Sequence, residues 1–152
     1  MAQKTLDSYR RRGFDCICGN LRMASRAVTA VYDAHLAAAG LTSNQLAVLW
    51  PILALEPTPM GEVARNVVMD KTTVSRNIAG LVDAGLVEVR TGDDGRHRMV
   101  STTARGRHAF AEAMPAWEAA QEEVSRIFGK ARFASLVRQT RKLARAVARA
   151  EA

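Results

Sequence analysis

The chain has little from which to build a disulfide framework, a membrane span or a catalytic centre. Its two cysteines, Cys16 and Cys18, stand two positions apart and do not make the framework that secreted mini-proteins use, so a reducing compartment is expected. No uninterrupted apolar run reaches the ~18 residues of a transmembrane helix, and the start, MAQKTLDSYRRRG, lacks a signal-peptide apolar region. The expectation is a cytoplasmic protein with no membrane partner. The three histidines, His35, His97 and His108, have no motif partners, and neither a glycine-rich phosphate loop nor a paired Cys-x-x-Cys set occurs. Neither catalysis, a cofactor nor a metal is therefore expected. Aromatic residues make up only 5% of the chain while 48% is hydrophobic, so the core must be built from Ala, Leu, Val and Met, which suits packed helices.

What is present is one domain's worth of chain, 152 residues, with a net charge of +7 that is unevenly spread. Lys4, Arg10, Arg11, Arg12, Arg22 and Arg26 face only Asp7 and Asp15 near the start. Seven cations from Lys130 to Arg149 face only Glu151 at the end. The middle is net negative, so charge alone does not locate a nucleic-acid reader.

Periodicity locates the elements better. Phe14, Ile17, Leu21, Val28, Tyr32 and Leu36 form the stripe of a long helix that Gly40 stops near Ala39. Thr42 and Gln45 offer a capping box ahead of a second, almost wholly apolar helix containing Pro51. After the break at Glu56-Pro57, Thr58 reads as an N-cap with Pro59 at the first helical position, and a short helix follows to about Val68. Asp70 is placed to cap a helix from Lys71 to about Ala84, with Val74, Ile78, Leu81 and Val82 as its buried stripe and Gly85 as its end. Two alternating stretches, 86–90 and 96–102, flank the turn Gly92-Asp93-Asp94-Gly95 and predict a two-stranded hairpin. Thr103 then caps a helix to Phe128, with Pro115 as a bend or break. Beyond Gly129 a last helix carries the stripe Phe133, Leu136, Val137, Thr140, Leu143 and Val147.

The unit 42–102 is thus a helical core, a helix with a polar leading half and a hairpin. A helix fits the major groove, and a basic hairpin beside it can reach phosphates or the minor groove. Lys71, Thr72, Thr73, Ser75, Arg76 and Asn77 are of the types that bond base edges and phosphates, and Arg96 and Arg98 fall on one side of the hairpin, with Asp94 near enough to orient one of them. The same pattern also suits a solvated helix face and a surface loop. A second alternative is a basic amphipathic helical interaction or membrane-surface protein working through residues 130–149.

Five strings at consistent separations bear on the choice: Leu41 to Leu49, Met60 to Ala64, Asp70 to Arg76, Leu81 to Val87, and Gly92 to Arg98. Together they resemble the MarR family of bacterial transcription regulators, from about residue 14 to about residue 148, nearly the whole chain. The resemblance implies a mainly α (α+β) fold, a single 1–152 domain in which 42–102 is the winged helix-turn-helix and 1–40 with 104–152 supply dimerisation helices. It implies a homodimer on double-stranded DNA with a pseudo-palindromic operator, residues 71–77 matching the leading half of the recognition helix and Arg96 and Arg98 the wing. Repression released by a small aromatic or phenolic ligand, or by thiol oxidation, is the implied mode of action. Some members sense oxidants through a cysteine near the start of the first helix, which makes Cys16 and Cys18 candidate redox sensors; the alternative is one buried small hydrophobe and one incidental thiol. Positions i and i+2 of a helix lie on nearly opposite faces, which argues against an intrahelical Cys16–Cys18 disulfide. Arg22, Met23, Arg26, Tyr32 and Trp50 are candidates for the ligand cleft, or else ordinary packing and surface pairs.

Overall fold

The computed structural model describes Tyr9, residues 13–92 and residues 95–150. A 3-10 turn at Gly13–Asp15 leads into α1 (Ile17–Leu36), and α2 (Ser43–Leu55), β1 (Thr58–Pro59), α3 (Met60–Val67), α4 (Lys71–Asp83), β2 (Val87–Thr91), β3 (Arg98–Thr102), α5 (Ala104–Phe128) and α6 (Lys130–Ala150) follow. The expected mainly helical class is observed. Among the described residues no single helix is long and apolar enough to cross a membrane.

The helix starts follow their caps. Thr42 closes a full capping box with Gln45, Asp70 accepts from the Thr73 N–H, and Thr103 accepts from the Gly106 N–H. Both α2 and α5 continue through their prolines, Pro51 and Pro115, so that of the bend or break expected at Pro115 the break does not occur. In α2 the lost backbone bond is outweighed by burial of Leu46, Val48, Leu49 and Ile52.

Two readings are corrected. Thr58 and Pro59 do not begin a helix: they form an edge strand whose Cα partners are Val100 and Met99, so the hairpin is part of a three-stranded antiparallel sheet in the order β1-β3-β2. A two-residue strand has no periodicity to read, and proline is tolerated there because an edge strand need not donate. Val82 is exposed, and only Val74, Ile78 and Leu81 of the α4 stripe are buried. The core gathers these three with Leu36, Leu46, Leu49, Ile52, Val63, Leu86, Val87, Val100 and Ala113.

A carboxylate ties the sheet to the helices. Glu56, at the end of α2, accepts from the Thr102 N–H and hydroxyl at the end of β3, and Arg107 of α5 lies 3.3 Å away. Burial raises the Glu56 carboxyl, but the two bonds from Thr102 and the charge of Arg107 together outweigh it and hold the group below its ordinary 4.5. The contribution to stability is therefore present above that ordinary value and lost as pH falls through the lowered one.

Val68 ends α3 in the left-handed region at φ 52°, the one non-glycine residue with positive φ among those described. A β-branched side chain there costs about 1–2 kcal/mol, and Val68 is 58% exposed, so it has little packing to lose. Val68→Gly should therefore raise stability by about 0.5–1 kcal/mol after glycine's own entropic cost, read as a rise of roughly 2 °C in Tm. A fall in Tm would mean that contacts of the side chain outweigh the strain.

Candidate nucleic-acid interface

The segment Val67-Val68-Met69-Asp70 sets the angle between α3 and α4. The Met69 N–H closes on Ala64 O at 3.1 Å, and Asp70 then starts the next helix. The Asp70 carboxylate accepts from the Thr73 hydroxyl at 2.6 Å and from its N–H at 2.9 Å, which holds it below the ordinary carboxylate range. Helix α4 buries Val74, Ile78 and Leu81 and turns Lys71, Thr72, Ser75, Arg76 and Ala79 to solvent. These five recur at i, i+1, i+4, i+5 and i+8, a single face, as 100° per residue requires.

Of the six helix residues named from the sequence, four lie on that face. The other two are half-buried and engaged within the chain: Thr73 in the cap, and Asn77, whose Nδ2 donates to Met69 Sδ at 3.6 Å. Ser75 is exposed but also donates to Met60 Sδ at 3.5 Å. Arg76 carries neither hydrogen bond nor ion pair to another described residue, so its five donors are available to an incoming acceptor.

Arg96 and Arg98 come together with α4. They line a crevice of about 290 Å³ with Lys71, Val74 and Ser75, floored by Pro59 and Met60. His97 lines it too, a residue named among the histidines but not among the candidates for the reader. The two-residue alternation assumed from Arg96 to Thr102 would have turned His97 away, but β3 starts only at Arg98; residues 95–97 lie outside the strand, and His97 O accepts from the Gly92 N–H at 2.8 Å. Asp94, the expected orienting group, lies outside the described residues.

The remaining candidates do not gather into one site. Arg22, Met23 and Arg26 are exposed on α1, and Tyr32 packs half-buried against the core, its phenol pKa raised by burial. Trp50 stacks edge-on to Phe110 at 5.0 Å and tilted to Trp117 at 5.2 Å. It lines an apolar depression with Ala47, Pro51, Ala54, Leu55, Asn66 and Val67, to which none of the other four contributes. Cys16 and Cys18 are free and exposed. Cys16 is not helical but is the extended N-cap residue of α1, and Cys18 lies in the first turn of that helix. Among the described residues no three His, Cys, Asp or Glu side chains form a metal-binding group.

A family model described as MarR family matches residues 39–97. The transcriptional regulator MosR of M. tuberculosis, solved in complex with DNA, is 31% identical, with a TM-score of 0.80 over 90% of this chain and 99% of that one. The transcriptional repressor CouR bound to a 23-mer DNA duplex (18% identity, TM-score 0.78, 88% of this chain and 95% of that one) shares the fold. So does Bordetella bronchiseptica BpsR, described in terms of regulation of its DNA binding by 6-hydroxynicotinic acid (22% identity, TM-score 0.75, 84% and 92%). A comparison with curated protein sequences gives no match. The identity to MosR over almost the whole of both chains, on top of a helix-turn-helix flanked by a basic wing, places the chain in the MarR family, a family of transcription regulators rather than of enzymes.

Proposed function

We propose that the chain is a cytoplasmic, sequence-specific repressor that binds double-stranded DNA as a homodimer, each subunit laying α4 in the major groove of one half of a pseudo-palindromic operator. The observation that carries the reading is the face formed by Lys71, Thr72, Ser75 and Arg76 beside Arg96 and Arg98, bounded by one crevice. Base edges are read by the helix and phosphates by the wing. The solved DNA complexes of MosR and CouR support DNA as the partner.

Dimerisation through residues 1–40 and 104–152 is supported by apolar surface that one chain leaves uncovered. Of the α1 stripe only Leu36 is buried, while Phe14 is 84% exposed, and Ile17, Leu21 and Val28 are exposed as well. Helix α6 buries no residue at all, with Leu136, Val137, Leu143 and Val147 open. Burying a fully exposed side chain of this kind is worth about 1.5–3 kcal/mol, and one already half covered proportionally less; a second copy offers the matching face.

Fluorescence anisotropy on a DNA fragment from upstream of the protein's own gene and on a scrambled duplex tests the contacts. Arg76→Ala should relax base preference at a cost of about 1–3 kcal/mol, and Arg98→Ala should weaken binding to all sequences and lower the salt slope by about 1. Unchanged affinity in both variants would sink the assignment.

Release of the operator is proposed through either an aromatic effector or thiol oxidation. The aromatic trio Trp50, Phe110 and Trp117, together with the open apolar depression that Trp50 lines, favours the first; the two exposed free thiols at the start of α1 favour the second. Under peroxide, the Cys16→Ser, Cys18→Ser double variant should keep its DNA affinity where the parent loses it. A response that survives both substitutions removes the thiol route.

A further inference from the structure

Helix α6 has seven cations between Lys130 and Arg149 and no carboxylate. Five of them, Arg138, Arg141, Lys142, Arg145 and Arg149, recur three or four positions apart. At 100° per residue they fill a sector about 100° wide, nearly opposite the sector of Phe133, Leu136, Leu143 and Val147. All five are exposed, they line one groove of about 440 Å³, and none forms an ion pair among the described residues. On α5, Glu118 and Glu122 border a different depression that includes none of the five. Like charges so spaced disfavour the helix in isolation, so the arrangement suits an external polyanion.

The groove's chemistry narrows that polyanion. Four of the five are arginines, whose planar forks fit phosphate oxygens. The basic face carries no aromatic ring on which unpaired bases could stack, which disfavours single strands. A membrane-surface helix would insert its apolar face, and on α6 that face is the one a second copy covers. Over the roughly 16 Å that the stripe spans, a duplex presents about ten phosphate charges. Within the chain α6 packs on α5, and its first residue lies about 37 Å along α5 from the base of the wing, several times the Debye length of about 8–10 Å. We propose that the basic stripe of α6 holds the backbone of a second DNA duplex, without regard to sequence, so that one dimer bridges two duplexes.

The test is a capture assay with the intact protein. A biotinylated duplex selected by the protein from a random-sequence pool is immobilised, protein is bound, and retention of a fluorescent duplex of unrelated sequence is followed across a salt series. The parent should retain it, and with about four phosphate contacts the retention constant should fall roughly 150-fold between 50 and 200 mM salt. The variant R138Q/R141Q/R145Q/R149Q should lose capture while binding the selected duplex unchanged, and the matching arginine-to-lysine variant should keep it. No capture by the parent, or equal capture by the glutamine variant, overturns the proposal; so does a glutamine variant that loses the selected duplex or the dimer, since α6 would then serve assembly. If no duplex is selected at all, the operator reading fails separately, and direct titration of the unrelated duplex still decides: equal affinity for parent and glutamine variant overturns the stripe.

Discussion

Gly106→Ala should lower the stability of the fold by about 3 kcal/mol or more, seen as a fall in Tm of roughly 10 °C. A Cβ on Gly106 would stand 1.9 Å from Leu86 O and 2.8 Å from Leu86 C, and both of these are backbone atoms. Neither side can yield cheaply. Leu86 O already accepts the Thr103 N–H at 3.0 Å, the Thr103 hydroxyl donates to Gly85 O at 2.7 Å and accepts from the Gly106 N–H at 2.9 Å, and Leu86 itself is buried. The first turn of α5 must move off the start of β2, carrying the wing with it, so DNA affinity should fall alongside Tm. A melting temperature within about 2 °C of the parent would show that the two backbones are free to part.

Leu136→Glu combined with Leu143→Glu should convert the proposed dimer to a monomer, measured by light scattering on a sizing column. Both side chains lie on the face of α6 that the single chain leaves open, and two carboxylates there would each have to be desolvated against apolar surface for the subunits to associate. A monomer loses the gain of having its second half-site tethered to the first, so affinity for a full operator should drop by about 100-fold or more. Helix content should fall too, because a helix with no buried residue is marginal alone. A persistent dimer with full affinity would place the seam elsewhere.

Much of this was legible from residue order because the helices are bounded by capping chemistry that acts locally. Thr42, Asp70 and Thr103 each bond an amide three residues on, and Gly40, Gly85 and Gly129 each take the positive φ at which a helix ends. What escaped depends on distant partners. Strand β1 exists only because β3, some forty residues later, pairs with Thr58 and Pro59. The Glu56–Thr102–Arg107 link likewise joins residues with no sequence relation. In the reader, the polar face of α4 was visible as a pattern, but the inward turn of Thr73 and Asn77 was not, since each is decided by a single acceptor, Asp70 or Met69. The wing suffered from the opposite fault: a period-two rule carried past the end of the strand to Arg96, where the chain turns instead.

The junction at Gly106 makes α5 a lever. Its 25 residues extend about 37 Å, with the wing seated on one end and, in the proposed dimer, the seam at the other. A tilt of about 5° at the seam then sweeps the wing end through roughly 3 Å, the length of one hydrogen bond. An effector acting on the seam would thus need neither to touch the DNA nor to unfold any element: with no slack at the Gly106 junction, the wing would follow the end of the helix.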